Sequence, residues 1–275
     1  VLDLTFLLQR FSTPLLDNIF IIISALTSEY VFFALLGYLY WCRDKHKGFI
    51  IGITLLSSFM LNTVLKNIFR IPRPYVYANI RQIDILTGYG YSFPSGHAQL
   101  STTFAAMCGA YLRRRFVYIS GVILVILTGI SRIYLGVHTP VDIIAGIIIG
   151  SVWSIFGCLM LKYPNKANNI SLYLLLASYI LLIFIHNTDL YKMTGFLTGF
   201  VFGNIIENKY IKNDVNCAFN KQVLKMISGI IIVICIKLLL SLLKADKFVQ
   251  YMAIGIVITV IIPILSKKFL MSYKI

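Results

Sequence analysis

The chain has 275 residues, 59% of them hydrophobic and 13% charged, with a mean hydropathy of +0.84; a soluble domain is roughly 45–50% apolar and about 25% charged, so a bilayer, not water, is its natural solvent. The formal charge of +15 does not mark a nucleic-acid binder, because the basic residues stand in short clusters between apolar runs and not along one polar face. Five cysteines, at 42, 108, 158, 217 and 235, are odd in number and form no C-x-x-C pair, which argues against a disulfide framework or a zinc site and leaves small apolar packing residues.

Along the chain, Asp3 and Arg10 interrupt the first apolar stretch and no small-residue cleavage site follows, so no signal peptide is expected. Two short apolar runs come next, near 13–27 and 29–42, with Ser28 and Glu29 at their junction. A tight hairpin and a half-embedded pair both fit them. Further runs lie near 48–69, 96–112, 115–133, 140–161, 170–187, 191–206, 223–243 and 248–266. They are continuous and Ile/Leu-rich, unlike the short alternating stretches of a barrel, so helices are expected. The predicted fold is an all-α polytopic membrane helix bundle with ten crossings.

Ten crossings would put both termini on one side, and the positive-inside rule assigns that side to the cytoplasm. Lys and Arg then divide sixteen inside against eight outside. The inner set is Arg10, the clusters at 43–47, 113–115, 162–166 and 209–225, and Lys267, Lys268 and Lys274. Lys237 is left within a run of Ile and Leu; an intramembrane functional charge and a lysine snorkelling to the interface are its two readings.

Three clusters carry chemistry. The first, Lys66 to Pro74, closes the 48–69 run at its outer end. Lys66 and Arg73 are seven apart, two turns, and so fit one helix face; Pro72 and Pro74 disfavour further helix. An interfacial basic belt is the bland alternative, and Arg70 fits either reading. The second, Phe93-Pro-Ser95-Gly96-His97, opens the next helix. Ser95 is a good N-cap, Gly96 admits close approach to the backbone, and a helix start suits an anion. The third runs from Ser131-Arg132 through His138-Thr139-Pro140 to Asp142. Thr139 and Pro140 suit the N-cap and first position of a helix. Asp142, four residues after His138, can hold one ring nitrogen, which leaves the other as a nucleophile or base. All three clusters fall at helix ends on one predicted membrane face.

These motifs, K-x6-R-P, P-S-G-H and S-R-x5-H-x3-D, resemble the signature of the type 2 phosphatidic acid phosphatase superfamily, shared by lipid phosphatases, glucose-6-phosphatase and vanadium haloperoxidases. They cover Lys66–Asp142. The resemblance implies a six-helix phosphatase core, placed at 1–165, and is silent on about four additional C-terminal transmembrane helices at 166–275. It implies that His138 is the nucleophile, Asp142 orients it, and His97 is the general acid. It also implies that Lys66, Arg73, Arg132, Ser95 and the Gly96 amide bind phosphate.

The expected activity is hydrolysis of a lipid phosphate or pyrophosphate of the undecaprenyl pyrophosphate, phosphatidate or phosphatidylglycerol phosphate class. Of ten acidic residues only Asp142 lies in a motif, so neither a metal nor another cofactor is expected. The expected partners are the lipid phosphate substrate and membrane lipids, with no nucleic acid. The expected location is the plasma membrane, with an extracytoplasmic site rimmed by Tyr75, Tyr77, Tyr89 and Tyr91. A lipid phosphotransferase using an alcohol acceptor is the alternative enzyme, and a lipid transporter or binding protein with a degenerate site the alternative of another class.

Overall fold

The computed structural model describes residues 2–84 and 87–270, and their secondary structure is entirely helical. In chain order the helices are α1 (Asp3–Arg10), α2 (Pro14–Leu26), α3 (Glu29–Tyr38), α4 (Lys45–Phe69), α5 (Pro74–Tyr77), α6 (Gly96–Leu112), α7 (Arg115–Tyr134), α8 (Pro140–Lys162), α9 (Ala167–Phe184), α10 (Thr188–Ile206), α11 (Phe219–Leu242) and α12 (Lys247–Ile256). A π-helical turn, Leu39–Arg43, continues α3; π turns and the short helix Ile262–Leu265 carry α12 on to Leu270. Every apolar run read from the sequence forms a helix. Lys274 lies outside the described residues, as do positions 85–86 of the 75–93 connection.

The crossing count differs from the expected ten. Among the described residues six helices are long and apolar enough to span a membrane, and seven if α2 and α3, which are bent by 42° at their junction, are taken as one span. At that junction the Thr27 hydroxyl donates back to the Ile23 and Ser24 carbonyls at 3.0 and 3.2 Å, competing with helix continuation. The helix α6 has 17 residues, about 25 Å at 1.5 Å per residue, and its interior carries buried Gln99, Ser101, Thr102 and Thr103. The polytopic membrane class stands.

By packing the chain forms two compact units, residues 1–32 with 57–159 and residues 33–56 with 160–275. The segment 33–56 therefore groups with the C-terminal helices, a grouping that a division at 165/166 does not capture. In the first unit α6 and α8 approach closely. A Cβ on Gly146 would stand 2.6 Å from the Ser95 carbonyl oxygen, and one on Gly150 would stand 2.5 Å from that of Gln99. Lipid supplies little hydrophobic drive between helices, so small residues and side-chain hydrogen bonds hold them. Here Asn62 donates to Gln99 Oε1 at 2.9 Å, Gln99 donates to the Ser58 carbonyl at 2.7 Å, and the Ser58 and Thr103 hydroxyls meet at 3.1 Å.

The N-terminal segment departs from its expected side. Gln9 Nε2 donates to the carbonyls of Arg81 and Tyr134 at 2.8 and 2.9 Å, and Gln9 Oε1 accepts from the Arg81 amide. Asp17 takes Arg81 Nη2 at 2.7 Å and the Tyr134 hydroxyl at 2.6 Å. Tyr134 ends α7 just before His138, so α1 and the start of α2 lie at the same end of the unit as the three clusters. The expected placement of Arg10 on the opposite side is corrected by these bonds.

The second unit is built around α10, where a Cβ on Gly195 would fall 2.5 Å from the Phe248 carbonyl of α12. Buried Glu207 pairs with Lys45 at 2.7 Å, and buried Lys225 donates to the Trp41 carbonyl at 2.9 Å. Lys237 is exposed five residues before the end of α11, as a snorkelling lysine is.

Candidate active site

Local backbone rules place the site residues. Helix α4 stops at Phe69, and Arg70 turns the chain with φ +50, its Nε donating to the Asn67 carbonyl at 2.9 Å. Lys66 and Arg73 therefore do not share a helix face: Arg73 stands in extended backbone ahead of α5. Exposed Arg70 closes its own helix, its amide donating to the Lys66 carbonyl at 3.0 Å. Ser95 caps α6, accepting from the Ala98 amide, and its own amide donates to the Asp142 carbonyl at 3.0 Å. At the start of α8, Asp142 Oδ2 accepts from the Thr139 amide at 2.7 Å while the Thr139 hydroxyl accepts from the Asp142 amide at 3.3 Å. This reciprocal capping box fixes the α8 start, and the Ser95 amide bond to the Asp142 carbonyl joins it to the α6 start.

His138 is almost wholly buried, at 1% exposure. Its Nδ1 faces Asp142 Oδ2 at 3.5 Å and the Ser92 hydroxyl at 3.3 Å, and Ser92 Oγ in turn stands 2.6 Å from Asp142 Oδ2. On the other side of the ring, Nε2 lies 3.3 Å from Arg73 Nη1. A guanidinium only donates, so Nε2 is the accepting nitrogen of that pair. Burial pushes the imidazole well below its ordinary range, and the charges of Arg73, Lys66 and Arg132 push the same way. The neutral ring is thereby favoured, with Nε2 turned toward Arg73.

Those cations are held mainly by main-chain carbonyls. Arg73 donates to Tyr89, Gly90 and Val137, with Nη2 to the Tyr89 carbonyl at 2.7 Å; Lys66 donates to the Tyr91 carbonyl at 2.7 Å. Such carbonyls fix a cation without neutralising it. Arg132 is different. Its Nη1 pairs with Asp84 Oδ2 at 2.8 Å and also meets the Thr87 and Ser24 hydroxyls. Burial alone would raise the Asp84 carboxyl, but hydrogen bonds from Thr87 and the Arg132 guanidinium bring it below the usual carboxylate range. His97 lies in the first turn of α6. Its Nε2 is buried and has no hydrogen-bond partner among the described residues.

All eight residues singled out in the sequence lie in the first unit, around the α4 and α7 ends and the α6 and α8 starts. Sequence reasoning missed Ser92, Asp84, Thr87 and Ser24. Ser92 stands only two residues before Pro94, but a serine in a polar loop carries no distinguishing signal. In the 75–93 connection the tyrosines drew attention instead; Tyr77, Tyr89 and Tyr91 are exposed, whereas the Tyr75 hydroxyl donates to the Gly88 carbonyl at 2.6 Å. Among the described residues no group of three or more His, Cys, Asp or Glu is placed to hold a metal ion. The arrangement offers a neutral oriented imidazole, a second imidazole with an open nitrogen, and three cations, a combination suited to phosphoryl transfer.

Comparison with known proteins agrees with this chemistry. Residues 47–167 match the PAP2 superfamily, and residues 191–274 match the PAP2 superfamily phosphatase transmembrane extension. An undecaprenyl-diphosphatase of Sulfolobus acidocaldarius is 33% identical over 140 residues, 50% of this chain and 66% of the relative. A lipid A 4'-phosphatase of Porphyromonas gingivalis is 33% identical over 153 residues, 50% of this chain and 63% of the relative. The matches thus span less than two thirds of these relatives' lengths. The crystal structure of Aquifex aeolicus LpxE is similar over 57% of this chain and 93% of that one, with 30% identity and a TM-score of 0.51.

Proposed function

Because the chain belongs to the PAP2 superfamily, we propose that this multi-pass membrane protein is a metal-independent phosphatase that hydrolyses a lipid phosphate or diphosphate through a phosphohistidine at His138. The observation that carries the reading is the two-sided hold on that ring: Nδ1 faces Asp142 and Ser92, and Nε2 faces Arg73 Nη1 at 3.3 Å. A phosphoryl group bound by Arg73, Lys66 and Arg132, with Ser95 and the Gly96 amide at the start of α6, would meet Nε2. Attack forms the Nε2–P bond and breaks the bond to the leaving oxygen, which takes a proton from His97. Water then attacks the phosphohistidine, returns a proton to His97 and releases phosphate. The charge on the transferring oxygens falls on cations already in place, so little reorganisation is needed.

Relatives named as an undecaprenyl-diphosphatase and a lipid A 4'-phosphatase support a lipid-anchored substrate, and an undecaprenyl-type diphosphate leads among the candidates. The site is assigned to the extracytoplasmic face of the cell membrane. That assignment follows the positive-inside reading of the sequence, with Arg10 taken out of the inner set.

The test is phosphate release from undecaprenyl diphosphate, phosphatidate and phosphatidylglycerol phosphate in detergent micelles. His138→Ala is expected to be inactive on all three. His97→Ala is expected to lose least on the substrate with the best leaving group. Near-normal turnover by His138→Ala would overturn the mechanism.

A further inference from the structure

The contact between His138 and Asp142 is long, and a third side chain fills the space beside it. Nδ1 and Oδ2 are 3.5 Å apart, beyond the usual range for a charge-assisted hydrogen bond. Oδ2 is already engaged by the Thr139 amide at 2.7 Å and the Ser92 hydroxyl at 2.6 Å. Ser92 is 1% exposed. A hydroxyl has one proton and two lone pairs. At 2.6 Å that proton goes to the carboxylate; the Val137 carbonyl, at 3.4 Å, is the weaker acceptor. Ser92 Oγ can then only accept from His138 Nδ1, 3.3 Å away.

We propose that Ser92 is a positioning residue for the nucleophile, relaying the pull of Asp142 to the imidazole through the chain His138 Nδ1–H to Ser92 Oγ–H to Asp142 Oδ2. The relay has two consequences. It fixes the tautomer, because Nδ1 carries the proton and Nε2 keeps its lone pair, which Arg73 Nη1 meets and a bound phosphoryl group would take over. It also fixes the ring plane, because Arg73 Nη1 holds Nε2 from the opposite side at 3.3 Å. Asp142 therefore acts mainly on Ser92 and on the Thr139 cap. Of the charged groups around His138, Arg73 stands 3.3 Å from Nε2 and Asp142 3.5 Å from Nδ1, while Lys66, Arg132 and His97 act on the ring by charge; Ser92 is the uncharged one between ring and carboxylate. The Ser92 carbonyl also attracts the ring proton weakly, and a substitution to alanine keeps that carbonyl while removing the hydroxyl alone.

This inference rests on His138 being the nucleophile, and the experiment separates the two. Steady-state hydrolysis of phosphatidate in detergent micelles is measured for wild type, Ser92→Ala, Ser92→Thr, Ser92→Cys, Asp142→Asn, the Ser92→Ala/Asp142→Asn double variant and His138→Ala. A misplaced reacting group costs about 100-fold, and a loss of that order in kcat is expected for Ser92→Ala, with KM within about twofold. Thr, which keeps a hydroxyl, should restore most of the loss. Cys, close to serine in size but a poor hydrogen-bonding partner, should not, so a packing defect in the alanine variant does not decide the outcome. The double variant should lose much less than the product of the two single losses, since both act through one chain. Wild-type kcat in Ser92→Ala and Ser92→Cys, with His138→Ala inactive, would overturn the relay and leave the phosphatase reading intact. An active His138→Ala would overturn both.

Discussion

At the scale of single residues the site is a question of how each cation is held. Arg73 donates to main-chain carbonyls, as Lys66 does to that of Tyr91, whereas Arg132 shares its charge with Asp84. Removing one member of a buried pair strands the other. Asp84→Ala is therefore expected to lower stability by about 3 kcal/mol, read by thermal unfolding in detergent; an unchanged midpoint would show that the pair contributes nothing. Because the folded Asp84 carboxyl titrates below its ordinary value, its contribution is full above about pH 4 and is lost as pH falls through the lowered folded value. For His138 the sign concerns activity. Its protonation is disfavoured, so the neutral nucleophile persists to lower pH than in a free imidazole. The acid limb of kcat/KM assigned to it is expected below about pH 6.5, and a limb above that value would contradict its burial among cations. The motif residues themselves were legible in the sequence, since proline, glycine and histidine at fixed spacings leave few local structures open. Ser92 and Asp84 were not, because their partners lie 46 and 48 residues away.

At the scale of elements, the capping signals of Ser95, Thr139 and Pro140 and the apolar runs predicted helix positions closely. One expectation failed and one open choice was narrowed, both where geometry at a helix end decides. Lys66 and Arg73 converge because the chain turns at Arg70, not because α4 continues. The 13–27 and 29–42 runs form one bent pair. The α6–α8 contact shows how far the site depends on packing behind it. A methyl on Gly146 would fall 2.6 Å from the Ser95 carbonyl, on the same residue whose amide meets the Asp142 carbonyl. Overpacking of this kind costs roughly 1–3 kcal/mol. Gly146→Ala is expected to lower the unfolding midpoint and to reduce kcat by moving Asp142; full activity with a lowered midpoint would show that the cap tolerates the shift.

For the whole molecule the testable matters are sidedness and metal dependence. In a cysteine-free background, Arg10→Cys and Tyr89→Cys are expected to react with a membrane-impermeant maleimide added outside intact cells. Arg114→Cys, at the far end of α6, should react only after permeabilisation. Labelling of Arg10→Cys from the opposite side to Tyr89→Cys would contradict the Gln9–Arg81 bonds. Phosphate release is expected to persist in excess EDTA; loss restored by Mg²⁺ would count against catalysis by His138, His97 and the three cations alone. Composition by itself determined that the chain lives in a bilayer, because 59% hydrophobic residues cannot be hidden from water at this length, and motif spacing by itself singled out the side chains proposed to carry the chemistry. Only the tertiary structure decided that Asp84 draws on the charge of Arg132, that Ser92 stands between Asp142 and His138, and that the N-terminal helix shares the site's face. Those are contacts between residues far apart in the chain, and no local periodicity or propensity records them.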